Sequence, residues 1–589
     1  MPGNPIGSGT ARTAAPRRAP ERAPQAAAPT PGRPMMKLNY AGSARLRTLG
    51  IYALLVGGAV VFCWPLLWMA FTSVKLDREL FARHIHWLPE TPQPQLRSPY
   101  VDERSFSELV GKRQGDLIPA LEDYFRPLAP QLEPDLDREP LVRALARGAY
   151  QRLAESLSDE KWMVPNAQLK ATAMAAMTPE FTHELLGEVK RGVVVGQLRA
   201  RSYDLSEDQL VPAEKAASAW KLEGSAEGFL QQSADERGAE LHYDFNNGDR
   251  LRLTGDFKTS FPVDRLYHLQ LSLRTDESWH NIRVTVEKNG RRLEAVTAVP
   301  MADPYWSIIT WQEKGPDELT NKLRTWIVLK PDDLNPSQVT GDHDLRVTIE
   351  IEKASAWGAW MSKITRNYRK VFDNLPFWRY VSTSVLLVIL NLVGTLLSCS
   401  MVAYAFARLH WPGRNLSFGL MMATMMIPAQ VTMIPFFLII RYLGWYNTLY
   451  PLWVCSFFAS AFNVFLLYQF FKGIPQDLED AAKIDGCGPI RSYWYIMLPL
   501  VRPSLATVAV FTFMGVWNDF MGPLIYLSDQ RLYPLSLGLY ALNVQGSDGS
   551  MGMSVMLAGA MLMMLPVIGI FFFAQRYFIQ GITMTGLKG

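Results

Sequence analysis

The strongest constraint on this chain is the segregation of its apolar residues into a few long segments. Residues 51–72 carry no charged side chain, and a run of that length is enough for a helix to cross a bilayer. The mean hydropathy of +0.01 hides this pattern, because the polar residues are concentrated elsewhere. Comparable apolar segments lie at 381–407, 416–440, 449–471, 503–527 and 553–574. The pattern predicts a helical protein with six transmembrane segments, embedded in a lipid bilayer.

The N-terminal segment, residues 1–48, is rich in Pro, Ala, Gly and Arg. A segment of this composition cannot bury a core, so we expect a disordered tail. Its basic residues precede the first apolar run, which predicts a cytoplasmic location by the positive-inside rule. A nucleic-acid-binding arm is the alternative, but the net charge of +4 does not favour nucleic acid as a partner. With six spans, both termini are cytoplasmic.

A polar insert separates the first transmembrane helix, 49–75, from the rest, and we expect residues 76–380 to be extracytoplasmic. Residues 76–237 read as mainly helical, because segments such as 141–157 and 179–192 repeat apolar residues every three or four positions. Residues 238–356 read as strands with alternating apolar residues, and Asn289-Gly290 is a hairpin signal. This pattern predicts that the α+β insert contains an antiparallel β-sandwich. Its aromatic side chains either stack on sugar rings or fill the core: Trp279, Tyr305 and Trp306.

Several kinds of catalytic site are missing from the sequence. It has no G-x-x-x-x-G-K-[ST] phosphate loop, no G-x-S-x-G nucleophile motif and no metal-ligand cluster. The four cysteines lie outside the insert, so we expect no disulfide there. These features predict that the chain is not an enzyme and binds no cofactor or metal itself.

A polar loop, Pro475–Pro499, lies between two apolar segments of the core, 357–589. Pro475 is suited to the start of a helix, and Asp477 places negative charge in its first turn. Gly486 can end that helix with a positive φ, and Pro489 prevents its continuation. The loop is either an ordinary connection between spans or a docking surface for another protein.

The loop resembles the EAA motif of ABC importer membrane subunits. Asp480-Ala481-Ala482 is followed at the family's spacing by Gly486, and nine residues later by Ile496-Met497-Leu498-Pro499. The family's glutamate position holds Asp480, with Glu479 beside it. The resemblance implies that the loop couples the chain to a dimer of ABC ATPase subunits, which uses ATP and Mg²⁺. The implied coupling residues are Glu479, Asp480, Ala481, Ala482, Asp485, Gly486, Ile496, Leu498 and Pro499.

A second motif, Trp517-Asn518-Asp519-Phe520, is similar to a signature of maltose-type (MalG-like) sugar permeases. The C-terminal residues Gly586, Lys588 and Gly589 also resemble that family, in which the tail contacts the ATPase. The resemblance covers span 1 and about 357–589 but not 76–356. It implies the type I importer permease fold, a binding-protein-dependent inner membrane component with an unusual insert between spans 1 and 2.

Polar side chains within spans are costly unless they face a cavity or a partner. A pathway for the transported solute is one interpretation of these residues, and hydrogen bonding between helices is the other. The candidates are Trp517, Asn518, Asp519, Gln430 and Asn463.

The expected function is that of a permease subunit in an ATP-driven importer of a carbohydrate, an oligosaccharide or a monosaccharide. The resemblance implies three protein partners: the ATPase dimer, a second homologous permease and an extracytoplasmic solute-binding protein. Two alternatives stay open. One is a membrane-anchored carbohydrate-binding or sensor protein, and the other is an importer of another solute such as a polyol or glycerol phosphate.

Overall fold

The computed structural model describes residues 40–81, 87–106, 109, 111–158, 162–233, 237–313, 323–545 and 552–583. The chain divides into two compact units, Met1–Pro65 and Leu66–Gly589. The first unit is described from Tyr40 onward and contains the N-terminal part of helix α1, Tyr40–Ser73. The expected tail, 1–48, lies largely outside the described residues. The other elements named below belong to the second unit.

Eighteen helices are named here in chain order. They are α1 (Tyr40–Ser73), α2 (Asp77–Leu80), α3 (Gln114–Leu132), α4 (Arg138–Ser156), α5 (Asn166–Ala176), α6 (Pro179–Val189), α7 (Ala216–Ala219), α8 (Ala356–Asn374), α9 (Phe377–Arg408), α10 (Arg414–Thr424), α11 (Ala429–Tyr442), α12 (Ala461–Gly473), α13 (Asp477–Ile484), α14 (Pro489–Leu500), α15 (Arg502–Trp517), α16 (Met521–Tyr526), α17 (Leu535–Gln545) and α18 (Met553–Thr583).

Sixteen strands are named in the same way. They are β1 (Arg97–Ser98), β2 (Tyr100–Val101), β3 (Lys190–Arg191), β4 (Val193–Ser202), β5 (Glu207–Val211), β6 (Lys221–Gly224), β7 (Glu227–Gln232), β8 (Ala239–Asp244), β9 (Arg250–Lys258), β10 (Leu266–Arg274), β11 (Asn281–Lys288), β12 (Arg291–Ala295), β13 (Val299–Pro300), β14 (Ser307–Glu313), β15 (Ile327–Pro331) and β16 (Asp344–Glu352).

Three helices of the described chain are long and apolar enough to cross a membrane: Thr48–Ser73 within α1, Phe377–Arg408 and Met553–Gln575 within α18. A fourth candidate is the pair α14 and α15, which bends by 79° at its break. The structure therefore does not confirm six continuous spans. The segments predicted at 416–440 and 449–471 are divided into shorter pieces.

The breaks have identifiable causes. The predicted span at 416–440 separates into α10 and α11 just before Ala429, and Pro428 is the residue that precedes α11 with extended backbone. Proline has no N–H to continue the helix ladder, which explains the break. The next apolar segment begins with two short 3₁₀ turns, Tyr450–Leu452 and Val454–Phe458, and only then forms α12. The expected outer segment at 528–552 also differs, because it contains the apolar helix α17.

The insert begins with helices α3 to α6, which pack around one core. Their apolar residues recur at helical spacing, and Leu117, Leu121 and Leu145 are completely buried. The helices predicted at 141–157 and 179–192 are confirmed as α4 and α6, within a few residues at each end.

A sheet of 14 strands forms the rest of the insert, in the order β1-β8-β4-β10-β14-β15-β12-β11-β16-β9-β6, with β5, β7 and β13 attached to its side. All of its pairs are antiparallel except β14 with β15. Apart from β1, the strands of this sheet begin at Val193, earlier in the chain than the predicted boundary between helical and strand regions at 237. The run Val193-Val194-Val195, with its β-branched side chains, was the available signal for an earlier strand.

The expected sandwich of two separate sheets is not confirmed, because the strands belong to one hydrogen-bonded sheet with a single core. Strand β7, which pairs with β8 near one end of this order, lies close to β6 at the other end. A Cβ placed on Gly228 in β7 would lie 3.2 Å from the side chain of Leu222 in β6. The hairpin at Asn289-Gly290 is confirmed, since both residues have positive φ, 45° and 70°.

Helix α8 joins the insert to the helical core through polar contacts. Asn367 donates hydrogen bonds of 2.8 Å to the carbonyl oxygens of Ser73 and Lys75. Lys363 forms an ion pair with Glu79, and both side chains are at most 2% exposed. A charge pair buried this deeply fixes the geometry of its two elements, because separating the charges would leave each without a partner.

Candidate functional site

The polar loop between α12 and α15 consists of two short helices, α13 and α14. Helix α13 ends in a Schellman motif, in which the N–H of Gly486 bonds to the carbonyl of Lys483 and the N–H of Cys487 bonds to that of Ala482. Gly486 has a φ of 78°, which confirms the predicted positive φ. Glycine adopts this left-handed conformation without the steric cost that a Cβ brings. The turn then redirects the chain into α14 at Pro489.

The inner face of α13 is held by a buried ion pair. Glu479 is buried, and its carboxylate lies 3.7 Å from the guanidinium of Arg408 at the end of α9. Arg408 also donates hydrogen bonds to the carbonyl oxygens of Phe471 and Ile474. One arginine therefore connects α9, the end of α12 and α13. Ala482 is 4% exposed on the same inner face, where a larger side chain would not fit.

The outer face of α13 presents the other carboxylate. Asp480 is exposed, and within the described residues its ion pair is with Lys483 in its own helix, at 3.1 Å. This hydrogen bond raises the pKa of Lys483. Ala481 and Asp485 are also exposed. Of the two neighbouring acids, Glu479 is internal and Asp480 faces outward.

Apolar side chains surround this exposed face. Ile484 is 87% exposed, and Ile490 and Tyr495 are each 77% exposed. We call Leu478, Ile484, Ile490 and Tyr495 the loop patch. Isolated exposed apolar residues are ordinary, but several within one short polar loop are typical of a surface that another protein covers.

The end of the motif has a different role. Ile496 and Leu498 pack against a core that includes Tyr404, Phe471 and Met497, and Pro499 is half-buried beside them. The hydroxyls of Tyr493 and Ser400 are hydrogen bonded at 2.7 Å. These residues attach α14 to α9, so within this chain Ile496, Leu498 and Pro499 are internal packing residues.

The second predicted group, around Trp517, lies at a break between α15 and α16. Trp517 is buried and donates from Nε1 to the carbonyl of Met563 at 3.0 Å. Asn518 donates to the carbonyl of Met514 at 2.9 Å. Asp519 accepts from the N–H of Gly522 at 3.0 Å, which caps the start of α16. The break explains how a carboxylate can lie between two apolar segments, since it satisfies backbone N–H groups there.

The other predicted pathway residues lie apart from this break along the chain. Gln430 is exposed in the first turn of α11, and Asn463 is half-buried in the first turn of α12. Gly586, Lys588 and Gly589 lie outside the described residues. In the insert, Trp279 is 2% exposed in an apolar core with Leu76 and Ala359, so its predicted alternative role in packing is confirmed.

Sequence reasoning missed the partner of Glu479. Arg408 comes directly after the apolar segment 381–407, and in the structure it is the last residue of α9 and is buried. The available signal was the helical position of Glu479 on the same face as Ala482, because an acid on an inward face requires a cation.

Comparison with known proteins relates this helical region to a transport family. The family of binding-protein-dependent transport system inner membrane components matches residues 394–584. The arabinooligosaccharides transport system permease protein AraQ of Halalkalibacterium halodurans is 36% identical over 213 residues, which cover 36% of this chain and 75% of that protein. The chain belongs to this family. The predicted resemblance to importer permeases is therefore confirmed.

Other relatives match the same part of the permease. AraQ of Bacillus subtilis is 34% identical over 227 residues, covering 37% of this chain and 79% of its own length. A solved bacterial ABC transporter involved in the import of the acidic polysaccharide alginate is 26% identical over 36% of this chain and 79% of that chain, with a TM-score of 0.33. The family match begins at residue 394, so the insert of the permease lies outside it.

Proposed function

We propose that this permease is the membrane-spanning subunit of an ATP-driven importer that carries a carbohydrate across the cytoplasmic membrane. The names of its relatives support the cargo: two are arabinooligosaccharide permeases and another belongs to a diacetylchitobiose uptake system. The subunit acts in transport and not as an enzyme. A solute-binding protein delivers the sugar, and a second permease subunit completes the pathway.

The observation that carries the proposed coupling is the two-faced structure of α13. Its inner face is tied to the transmembrane core through Glu479 and Arg408, while Asp480 and the loop patch face outward. A separate ATPase dimer, which itself binds ATP and Mg²⁺, would bind to the outer face of α13. Because the inner face is joined to α9 and α12, movement of the ATPase would be passed directly to the core.

The topology in this proposal keeps both termini and the coupling loop in the cytoplasm and the insert on the outer side. In the same proposal, five residues line the pathway of the transported solute: Trp517, Asn518, Asp519, Gln430 and Asn463. The ATPase also contacts the C-terminal residues Gly586, Lys588 and Gly589. An importer of glycerol phosphate is the second candidate, because a permease for sn-glycerol-3-phosphate from Pectobacterium atrosepticum is 32% identical over 74% of its length.

A single substitution in the loop patch tests the coupling. Ile484→Asp places a charge on a side chain that is 87% exposed. We expect the purified permease to lose its ATPase subunit and the sugar-stimulated hydrolysis of ATP, while its own thermal stability stays unchanged. The matched control is Leu334→Asp, which changes a 90% exposed leucine on the insert. Equal retention of the ATPase by both variants would disprove the role of the loop.

The cargo is tested with the reconstituted complex and its binding protein. Transport of labelled arabinooligosaccharides and of glycerol phosphate is compared in the same vesicles. Uptake of the oligosaccharide supports the first candidate, and uptake of glycerol phosphate alone supports the second. A membrane-anchored sensor would show neither uptake nor a stable complex with an ATPase.

A further inference from the structure

The outer face of the large sheet carries a continuous row of aromatic rings. The rings of Tyr203 and Tyr267 are 4.8 Å apart, those of Tyr267 and His268 are 4.0 Å apart, and those of His268 and Trp326 are 5.6 Å apart. We call these four residues the aromatic row. It crosses the ends of β4 and β10 and reaches the start of β15.

A local irregularity of the sheet produces this row. The pairing of β10 with β4 shifts between Leu266 and His268, so that Tyr267 is an extra residue between two paired positions. Such a bulge turns side chains away from their regular alternation. Tyr267 and His268 consequently stack on each other outside the core, whereas the flanking Leu266 and Leu269 are buried.

The row is accessible enough to contact a ligand. Tyr203 is 47% exposed, and Tyr267, His268 and Trp326 are partly exposed. Burial lowers the pKa of His268, although its hydrogen bond to Gln312 opposes this. Gln312 orients the ring through a 3.0 Å contact at Nε2.

Hydrogen-bonding side chains continue the face along the strands. In the described part of the chain, Arg201 lies directly across from His268, on the same face, and forms no ion pair with a carboxylate. Its potential partner Glu207 instead pairs with Arg199 at 3.1 Å. Farther along the same face, the Gln270 amide bonds to Thr310 at 3.3 Å.

A second arginine and a second large ring lie at the other end of β10. The guanidinium of Arg274 is 5.8 Å from the ring of Trp306, and within the described ranges it also has no carboxylate partner. Six residues separate His268 from Arg274, which corresponds to about 20 Å of strand. The face is thus elongated, with rings and an uncompensated positive charge at both ends and neutral polar groups between them.

We propose that this outer face of β4, β10 and β14, with Trp326, binds an acidic oligosaccharide. Sugar rings offer flat apolar faces to aromatic side chains and oxygen atoms to donors such as Arg and Gln. Carboxylates on the sugar would complement Arg201 and Arg274, because guanidinium groups favour carboxylate acceptors. The elongated shape suits a linear chain of sugar units. The inference deepens the proposed carbohydrate function and rests on it for the choice of ligand class.

The test uses the full-length permease in lipid nanodiscs, without its ATPase, and isothermal titration with oligogalacturonides. Neutral maltooligosaccharides of the same length are the comparison ligands. We expect the oligogalacturonide to bind at least tenfold more tightly than the neutral chain. Binding should weaken at least tenfold in Trp326→Ala and in Arg201→Gln. Arg201→Gln leaves the aromatic row intact, so it tests the site even if Trp326→Ala lowers stability.

Two matched controls come from the same insert. Phe229→Ala removes a ring that is 54% exposed in β7, and Arg250→Gln removes a 54% exposed arginine in β9. Both should bind as the unchanged protein does. The proposal is overturned by an absence of binding, by equal affinity for the neutral chain, or by equal effects of site and control variants. It is also overturned if the site variants lose the solute-binding protein instead of the sugar.

The outcome can be separated from that of the proposed transport function. Ile484→Asp should retain oligogalacturonide binding, because it changes only the loop patch. Loss of ATPase coupling with retained sugar binding would support this inference alone. Retained transport without sugar binding to the insert would overturn this inference and leave the proposed function intact.

Discussion

Arg408 and Glu479 form a buried ion pair, 3.7 Å between Nη1 and Oε2, with side-chain exposures of 8% and 7%. The pair joins the last residue of α9 to the first turn of α13, so it ties the polar loop to the helical core. The adjacent Asp480 is exposed, and among the described residues it is paired with Lys483 of its own helix and not with another element. Two neighbouring carboxylates thus have different surroundings, one internal and one open to a partner.

Replacing Glu479 by glutamine should destabilise the permease by about 3 kcal/mol, because Arg408 would remain buried without its countercharge. Thermal unfolding of the purified protein measures this as a lower Tm. Asp480→Asn is the matched variant, and its solvent-exposed pair with Lys483 contributes little to stability. Its expected defect is in ATPase binding. An equal decrease of Tm in the two variants would contradict the assignment of Glu479 as internal and Asp480 as exposed.

Gly486→Val should weaken the turn after α13 by about 1–2 kcal/mol, because a side chain is disfavoured at a φ of 78°. Space is not the cause, since no atom lies within 4 Å of a Cβ built there. Gly488→Val is the control, with a φ of −71° and similarly open surroundings. ATP hydrolysis stimulated by the permease is expected to fall in the first variant only. Normal coupling in Gly486→Val would show that the turn is not required.

The buried pair of Glu79 and Lys363 should show strong non-additivity. Removing either charge alone, as Glu79→Gln or Lys363→Met, is expected to cost about 3–5 kcal/mol. The double variant should cost clearly less than the sum, because no buried charge is then left without a partner. A double-mutant cycle by thermal unfolding measures the coupling. If the losses of stability in the two single variants simply add in the double variant, the two side chains do not interact energetically.

Stability should rise with pH through the titration of Lys370. The positive charge of Arg366, followed by burial, lowers the pKa of Lys370 to about 8, although Asp303 and Asp77 oppose this. The unfolded state, with its higher pKa, binds more protons between about pH 8 and 10, so stability increases with pH in this window. Below pH 8 the destabilising effect of the charge is fully present. Thermal unfolding from pH 7 to 10 measures the slope.

Lys370→Met should flatten that slope and stabilise the protein at pH 7. Lys258→Met, at a lysine whose side chain is 87% exposed, is the control and should leave the slope unchanged. An unchanged slope in Lys370→Met would assign the pH dependence to another group.

Local patterns were sufficient for much of the secondary structure. Strands β10 and β11 lie within the region 238–356 that was predicted to form strands, and Asn289-Gly290 makes the expected turn. These features depend on side-chain periodicity and on backbone preferences of neighbouring residues, which a sequence displays directly. The polar loop was recognised from the spacing of Asp480, Ala481, Ala482 and Gly486, which resembles the EAA motif, and its coupling role stays a prediction.

The polar contacts could not be predicted, because their partners are distant in the chain. Glu79 and Lys363 are 284 residues apart, and nothing in either segment identifies the other. The six-span count is not confirmed, for a related reason. Apolar length indicates that a segment can enter a membrane, but whether it forms one helix or two depends on residues such as Pro428 and on the packing around the break.

The sequence by itself determined that this is a membrane permease with a polar loop whose spacing resembles the EAA motif, since apolar length and motif spacing are local properties of the chain. Only the tertiary structure decided which acid of that loop is internal, because burial of Glu479 depends on where Arg408 lies. The same holds for the aromatic row of the insert, whose members come from three separate segments. Long-range pairing brings them together, and no local pattern specifies it.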